Sequence, residues 1–276
     1  MSYLALDIGG SWFRWQRGDG NSGKIKTKDI PKQIVSLIDK DTKVVSISLA
    51  GLAKDGVVLF APNLNLKTKD IASYIKDRFD VEVFIDNDLN LATLAESKFY
   101  KSDYIVSIYI GTGVGGGIVY DGKIISGSYG VGAEIGHLSY KNSPLKCGCG
   151  KSDCYELYCS GSGLAKWREY FGYKETELKD MINSKDKSYD VAKNFIEALA
   201  HLTGSMTTIF NPEIIVYGGG IVESNRYIVD LVLERLPKYT LSLPLRELKL
   251  EVTQLRNAPL LGAVLRAEEF LKAGYE

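Results

Sequence analysis

Residues 3–18 read YLALDIGGSWFRWQRG, residues 104–120 read YIVSIYIGTGVGGGIVY, and both pass from an apolar run through a glycine turn into a second strand-like run. Short apolar runs bounded by glycine are typical of buried β-strands. A third apolar run, PEIIVYGGG at residues 212–220, also ends in glycines. The two long stretches recur at an interval of about 100 residues, which indicates two similar halves and not a solenoid of short repeats.

Helical patterns alternate with these apolar strands, and together they predict an α/β protein. We expect helices at residues 69–79, 89–100 and 257–274, and a mostly helical region at residues 161–210. Two lobes with a cleft between them fit this organisation best. Residues 1–110 with 257–276 would form a small N-terminal lobe closed by the C-terminal helix. Residues 111–256 would form a large lobe.

The composition excludes several classes of protein. The chain has 276 residues, 34 basic and 34 acidic, so its net charge gives no support for binding to nucleic acid or to an anionic membrane. The opening MSYLALDIGG lacks the pattern of a signal peptide, and no window approaches 18 uninterrupted apolar residues. We therefore expect a cytoplasmic protein.

Three strands are predicted to end in glycine turns, and such turns can bind phosphate. Without a β-carbon, the backbone N–H groups of a turn form a concave site for anions. The turns are Gly9–Gly10, Gly111–Gly113 and Gly218–Gly220. Asp7, just before the first turn, is a candidate ligand of a water-coordinated Mg²⁺. GTGVGG is a poor dinucleotide fingerprint, because a strand and not a helix follows it.

A polar cluster, IDNDLN, follows another apolar strand and offers a candidate catalytic carboxylate. Asp88 lies at the carboxyl end of this predicted strand, where clefts of α/β proteins are lined. Its carboxylate could accept a hydroxyl proton during phosphoryl transfer, or it could simply cap the following helix. Asn63, in APNLN, offers an amide of the kind that holds sugar hydroxyls.

The segment from Glu134 to Glu156 reads EIGHLSYKNSPLKCGCGKSDCYE and has the ligands of a metal site. One imidazole and three thiols form a closed tetrahedral zinc set with no position left for water, so the metal would be structural. These four predicted ligands are His137, Cys147, Cys149 and Cys154. A disulfide between two of the cysteines, or free thiols without metal, are the alternatives. Cys159 is interpreted as a small buried apolar residue, and His201 is given no role.

The chain resembles the ROK family of sugar kinases and sugar-responsive repressors, within the actin-like ATPase superfamily. Seven motifs carry this resemblance: DIGGS (7–11), IDNDLNLATLAE (85–96), IGTGVGGGIV (110–119), GAEIGH (132–137), CGCGKSDCYE (147–156), VYGGGI (216–221) and NAPLLGAVLRA (257–267). They run nearly from end to end, and the cysteine motif is the most specific. The resemblance implies the two-lobed actin-like ATPase (ribonuclease H-like) fold, and members of the family are commonly dimers or tetramers.

The resemblance also implies a role for each matching residue. Asp88 would be the base for the sugar hydroxyl, normally that on carbon 6. The sugar would be bound by Asn63, Asn87, Asp88, Glu134, His137 and Glu156. ATP with Mg²⁺ would be bound by Asp7, Gly9, Gly10, Ser11, Arg14, Gly111, Thr112, Gly113, Gly218 and Gly219, the last two on the adenosine side.

The chain departs from the family pattern in two places. Ser11 and Trp12 stand where the family usually has threonine and lysine, so one cation is missing beside the phosphates. Arg14 lies on the same strand face as Trp12 and is a candidate replacement. Asp153 stands where glycine is usual, which predicts a changed backbone angle before the last cysteine ligand.

Three functions are compatible with these residues. The first is an ATP-dependent hexose 6-kinase of the glucokinase or hexokinase type, with glucose as the default substrate and room for a broad specificity. The second is a sugar-responsive transcriptional regulator without kinase activity, although only six residues precede Asp7 and leave no helix-turn-helix there. The third is an actin-like nucleotide-binding protein with no sugar substrate, which the zinc-and-glutamate segment disfavours.

Overall fold

The computed structural model describes residues 2–174 and 177–274. The chain forms two compact units. Unit 1 comprises Met1–Phe99, Ile124–Gly132 and Leu255–Glu276, and unit 2 comprises Tyr100–Lys123 and Ala133–Gln254. The lobe boundaries predicted at 110/111 and 256/257 stay a prediction beside this division. Among the described residues, no helix is both long enough and apolar enough to cross a bilayer.

Unit 1 is built on a five-stranded mixed sheet. Counted across the sheet, the first three strands pair antiparallel as two hairpins, and the last three strands pair parallel. In spatial order its strands are β3 (Ser22–Lys26), β2 (Trp12–Arg17), β1 (Ser2–Ile8), β4 (Thr42–Leu49) and β7 (Glu82–Asn87). A separate two-stranded hairpin is formed by β5 (Leu52–Lys54) and β6 (Val57–Phe60).

Alternation along β1 explains why this sheet is buried on both faces. Leu4, Leu6 and Ile8 point into one apolar cluster, whereas Tyr3 and Ala5 point into another. Parallel strands covered on both faces are expected to be nearly continuous apolar runs, as β1 and β4 are. The helices of unit 1 are α1 (Ile30–Leu37), α2 (Ile71–Lys76), α3 (Asp88–Tyr100) and α11 (Ala258–Ala273).

Unit 2 repeats the strand order of unit 1. Its strands, in spatial order, are β10 (Lys123–Ile124), β9 (Val114–Tyr120), β8 (Ile105–Ile110), β11 (Ile214–Gly218) and β12 (Lys249–Val252). β8 pairs antiparallel with β9 and parallel with β11, as β1 does with β2 and β4. The helices of unit 2 are α4 (Glu156–Cys159), α5 (Gly161–Phe171), α6 (Leu178–Ile182), α7 (Lys187–Phe210), α8 (Gly220–Ser224), α9 (Tyr227–Arg235) and α10 (Ser242–Glu247).

The structure confirms the predicted duplication and the predicted strands before the three glycine turns. The helix predicted at 69–79 is shorter, Ile71–Lys76. The region 161–210 is mostly helical as predicted, except that residues 175 and 176 lie outside the described part of the chain. The hairpin of β5 and β6 was missed, although Asp55-Gly56, with positive φ angles of 50° and 83°, is a strong hairpin signal.

Candidate active site

The carboxyl end of β1 carries Asp7 in a largely buried, ion-paired position. The sheet register places Arg14 directly opposite Asp7 on β2 and Ser48 opposite it on β4. Arg14 Nη1 lies 2.8 Å from Asp7 Oδ2, and Ser48 Oγ donates to Oδ1 over a longer 3.4 Å. Burial raises the pKa of Asp7, and the Arg14 charge opposes that rise. The Arg14 charge is therefore already paired with Asp7.

The first glycine turn packs against Asn63. The Gly9 N–H donates to the Trp12 carbonyl oxygen (3.0 Å), which closes a tight reversal between β1 and β2. A β-carbon on Gly10 would stand 3.0 Å from the carbonyl oxygen of Asn63, so a larger residue would crowd this contact. The structure therefore brings a predicted phosphate-binding residue next to a predicted sugar-binding residue within unit 1.

Asn87 and Asp88 form the junction between β7 and α3. The Asn87 Oδ1 atom accepts hydrogen bonds from the N–H groups of Leu89 (2.9 Å) and Asn90 (3.3 Å), and its Nδ2 donates to the Gly51 carbonyl oxygen (3.0 Å). Asn87 is therefore the side chain that caps the helix. Asp88 is the first residue of α3, and its Oδ1 accepts a hydrogen bond from the adjacent Leu89 N–H (3.0 Å), so the N-cap position falls to Asn87 and not to Asp88.

The second glycine turn, at the end of β8, is bonded to the beginning of α5. The Gly161 N–H donates to the Gly111 carbonyl oxygen (2.9 Å), and the Ser162 N–H donates to that of Thr112 (2.9 Å). Because the helix start fixes both carbonyl groups, the turn is held in one conformation. Thr112 remains exposed.

The third glycine turn lies beside the second one. β11 is parallel to β8, and Gly218 pairs with Tyr109 near the end of that strand. Gly219 has a φ of 88°, and a β-carbon there would overlap the carbonyl oxygen of Ile110. Glycine is thus required for both its backbone conformation and its close approach. The structure brings together the predicted phosphate and adenosine turns of unit 2.

Glu156 connects the second glycine turn to the cysteine segment. Its Oε2 accepts a hydrogen bond from the Val114 N–H (3.2 Å), and its Oε1 accepts one from the Cys147 thiol (3.3 Å). Glu134 is exposed by surface area, yet enough protein surrounds its carboxyl group that desolvation raises its pKa. His137 opposes that rise, and the Glu156 charge adds to it.

The four predicted metal ligands converge in unit 2. The ligand atoms of His137, Cys147, Cys149 and Cys154 all lie within 4.8 Å of one another. The Cys147 Sγ–His137 Nδ1 distance is 3.6 Å and the Cys149 Sγ–Cys154 Sγ distance is 3.4 Å. Ligands about 2.3 Å from a tetrahedral zinc ion are separated by about 3.8 Å. The donor set therefore fits zinc in chemistry and in size, and all four cysteines are free thiols.

Asp153 does not need the backbone conformation of the usual glycine. Positive φ angles in the described residues occur elsewhere and not at this position. Its carbonyl oxygen accepts a hydrogen bond from the Tyr140 N–H at 2.6 Å, so a short ladder holds the loop there. The predicted change of backbone angle is therefore not a barrier to ligand formation by Cys154.

The sequence did not predict the contact that holds the cysteine segment against α7. Tyr155, between Cys154 and Glu156, has its hydroxyl 2.5 Å from His201 Nδ1 on α7, and its ring stacks on Tyr140. Tyr239 packs beside His201, and its hydroxyl donates to Glu197 (2.6 Å), which raises the pKa of Tyr239 to about 12. No local pattern marked His201, because its partner is 46 positions away.

The protein has two similar mixed sheets, and each has a glycine turn after its first strand. This is the two-lobed fold of the actin-like ATPases. The chain belongs to the ROK family, whose model matches residues 19–269.

Sugar kinases and a transcriptional regulator are among the proteins similar to this chain. N-acetyl-D-glucosamine kinase from Vibrio vulnificus (strain YJ016) is 26% identical, with 87% of this chain and 90% of the relative covered. The ROK hexokinase from Thermus thermophilus has a TM-score of 0.85 at 22% identity, covering 99% of this chain and 100% of the other. A ROK family transcriptional regulator homologous to an E. coli protein has a TM-score of 0.81 at 22% identity, covering 97% and 78%.

Proposed function

We propose that this chain is an ATP-dependent kinase that phosphorylates the 6-hydroxyl of a hexose or an N-acetylated hexosamine. Membership of the ROK family and the kinase names of its curated relatives support this function. The glycine turns of both units and the carboxylate after β7 supply the residue types that the reaction needs.

The observation that carries the proposal is the position of Asp88 at the same sheet edge as the first glycine turn. β1, β4 and β7 are parallel and in register, with Ile8 opposite Leu49 and Leu49 opposite Asn87. The residues that follow, Gly9 and Asp88, are thus two strand spacings apart, about 10 Å. This separation leaves room for a sugar hydroxyl and a terminal phosphate between them.

The proposed reaction needs little covalent chemistry from the protein. The sugar 6-oxygen attacks the γ-phosphorus of ATP, an oxygen–phosphorus bond forms, and the bond between the γ-phosphorus and the β,γ-bridging oxygen breaks. The hydroxyl proton passes to the Asp88 carboxylate, and ADP leaves with the electron pair of the broken bond. Asp88 needs to be a modest base that is positioned well.

ATP and Mg²⁺ are assigned to the glycine turns and to Asp7. We assign the phosphates to Gly9, Gly10, Ser11, Gly111, Thr112 and Gly113, and adenosine to Gly218 and Gly219. The Asp7 carboxylate fits a magnesium ion held through water, because one of its oxygens is paired with Arg14 and the other has only a long hydrogen bond. When bound, Mg²⁺ would neutralise part of the negative charge of the phosphates.

We assign sugar binding to the residues predicted from the sequence, which are Asn63, Asn87, Asp88, Glu134, His137 and Glu156. Glu134 is the exposed carboxylate of this set and is the strongest candidate to accept sugar hydroxyls. Glu156 Oε2 accepts the Val114 N–H and so positions the second glycine turn. A zinc-bound Cys147 thiolate would have no proton to donate to Oε1, so Oε1 would be available to a sugar hydroxyl.

The names of the relatives suggest which sugars to test first. N-acetyl-D-glucosamine is the first sugar to test because curated relatives from Vibrio vulnificus and Escherichia coli are named as its kinases. Glucose is the second, since it differs only at carbon 2 and presents the same 6-hydroxyl.

A coupled ADP-release assay tests the function. The panel would contain N-acetylglucosamine, N-acetylmannosamine, glucose, mannose, fructose and glucosamine, and phosphorus NMR of the product would locate the phosphate. Asp88→Asn should lower kcat by about 100-fold or more while sugar binding, measured by calorimetry, survives. The exposed Asp80→Asn is the matched control and should leave kcat unchanged. Phosphorylation of no sugar, or full turnover by Asp88→Asn, would overturn the proposal.

We also propose that the cysteine cluster holds a structural zinc ion. Four protein ligands close the coordination shell, so the metal would hold the segment in place and activate no water. We further propose a cytoplasmic location, where ATP and free sugars meet, and a homodimer or homotetramer; cell fractionation and light scattering measure these two properties.

A further inference from the structure

The first glycine turn lacks the cation that the family pattern places there, and Arg14, the candidate replacement, is already paired with Asp7. Trp12 stands at the position of the usual lysine. Arg14 Nη1 is 2.8 Å from Asp7 Oδ2, and this pairing neutralises the guanidinium. A triphosphate carries more negative charge than one Mg²⁺ neutralises, so an unpaired cation near this turn would strengthen its binding.

Two lysines of β3 place their ammonium groups over the ring of Trp12. Lys24 Nζ lies 4.0 Å and Lys26 Nζ lies 3.9 Å from the ring centroid. An aromatic face attracts cations within about 6 Å of its centre. The tryptophan that replaces one lysine therefore holds two others, which we call the lysine pair (Lys24 and Lys26).

The sheet register fixes the lysine pair on the face of Asp7. Trp12 is directly opposite Lys26, and Arg14 is directly opposite Lys24. Directly opposite residues share a face of the sheet, and Arg14 in turn is opposite Asp7. The lysine pair therefore continues the polar row that contains the proposed magnesium ligand.

Backbone and side-chain hydrogen bonds tie the end of β3 to the glycine turn itself. The Thr27 N–H donates to the Ser11 carbonyl oxygen (3.2 Å), and the Thr27 hydroxyl donates to the Gly9 carbonyl oxygen (2.7 Å). Lys26 immediately precedes Thr27, so the backbone of Lys26 lies next to the turn, and its ammonium group lies over the ring of Trp12, the residue that follows Ser11.

The lysine pair keeps its charge available for a ligand. Within residues 2–174 and 177–274, neither Lys24 nor Lys26 forms an ion pair with a carboxylate, and both side chains are exposed. Two ammonium groups on one ring repel each other, and Lys24 also lies opposite the like-charged Arg14. A chain of phosphates that contacts both ammonium groups would relieve this repulsion.

We propose that Lys24 and Lys26, held by Trp12, bind a chain of linked phosphates beside the first glycine turn. This inference rests on the proposed kinase function and names the residues that recognise the phosphoryl donor. The shared chemistry is a polyanionic phosphate chain, which either the triphosphate of ATP or inorganic polyphosphate provides.

The test measures binding by calorimetry, without any need for turnover. The double variant Lys24→Met/Lys26→Met should bind Mg-ATP, tripolyphosphate or both about tenfold more weakly than the wild type. Salt should also weaken binding to the wild type more than binding to the double variant. Lys43→Met removes one exposed charge at the opposite end of the same sheet and should leave phosphate binding unchanged.

The two ligands distinguish the source of the phosphate chain. A loss confined to Mg-ATP assigns the lysine pair to the nucleotide, and a loss confined to tripolyphosphate assigns it to inorganic polyphosphate. Adding Trp12→Lys to the double variant should restore affinity, because it returns a cation to the family's position. Unchanged affinity of the double variant for both ligands would overturn the inference. If the wild type binds phosphates but phosphorylates no sugar, only the proposed kinase function fails.

Discussion

Asn87, which we propose as a sugar-binding residue, also binds three backbone groups. Its amide oxygen caps α3 and its amide nitrogen holds the Gly51 carbonyl oxygen. These bonds orient the first turn of the helix, and with it the Asp88 carboxylate. The sugar-binding role predicted for Asn87 is thus accompanied by a structural role that spacing alone did not reveal.

Replacement of Asn87 separates these two roles. Asn87→Ala removes the cap and the bond to Gly51, so we expect a loss of about 1–2 kcal/mol in the free energy of unfolding, measured with urea. Asn87→Asp keeps an oxygen for the cap and should retain most of that stability. If Asn87→Ala is as stable as the wild type, the capping role is wrong.

Asp7 and Arg14 were both predicted to bind ATP with its Mg²⁺, and the structure shows that they form an ion pair with each other. The sequence places them seven residues apart, and the alternation of strand faces allowed either outcome. The hairpin register put them opposite each other at 2.8 Å. The assignment of Arg14 to the ATP site stays a prediction, and its charge is paired with Asp7.

At the scale of elements, the Glu134–Glu156 segment has little regular structure of its own. It contains a 3₁₀ turn at Ile135–His137 and an isolated bridge between Ser139 and Cys154, and α4 begins only at its last residue, Glu156. A segment of this kind needs a cross-link to remain ordered. The converging ligand atoms, together with the Tyr155–His201 bond, provide candidates for that cross-link.

Metal analysis tests the proposed zinc cross-link. We expect about one zinc ion per chain. A chelator should release the ion and free three thiols without any reductant, whereas a disulfide would need reduction first. Cys149→Ser should lose the ion. Cys159→Ala should keep it, because the Cys159 thiol donates to the Tyr155 carbonyl oxygen and faces no other ligand. A metal-free protein that holds a disulfide would contradict the assignment.

At the scale of the whole molecule, the C-terminal helix α11 returns to the sheet formed by the first residues. Its apolar residues share a buried cluster with Tyr3 and Ala5 of β1 and with Leu91 of α3. Gly262 lets the two helices touch, since a β-carbon there would overlap the carbonyl oxygen of Leu91. The fold of unit 1 thus depends on both ends of the chain.

Gly262→Ala should therefore destabilise the protein although alanine is the better helix former. Alanine gains about 1 kcal/mol in helix propensity, but it must push two helix backbones apart, and we expect a net loss of about 2 kcal/mol. Gly274→Ala is the control, because the nearest atoms there are 3.8 Å and 3.9 Å away. Thermal and urea unfolding measure both variants, and equal stability of Gly262→Ala and the wild type would contradict this packing.

The sequence by itself determined the duplicated α/β architecture, the strands before the glycine turns and the membership of the cysteine cluster. These features depend on local periodicity, on glycine at strand ends and on ligand spacing, and short stretches of sequence are enough to recognise all three. The hairpin at Asp55-Gly56 could have been predicted from the same kind of local pattern, but it was missed. The weak edge strand β12, Lys249–Val252, had no comparable local signal.

Only the tertiary structure decided which partners the polar side chains take. Arg14 pairs with Asp7, Asn87 caps α3, and Trp12 holds Lys24 and Lys26. Each outcome depends on strand register or on a helix start, and a shift of one residue would turn every side chain to the other face. YLALDIGGSWFRWQRG therefore determined a strand, a turn and a hairpin, whereas the pairing of β1, β2 and β3 decided which charges remain free.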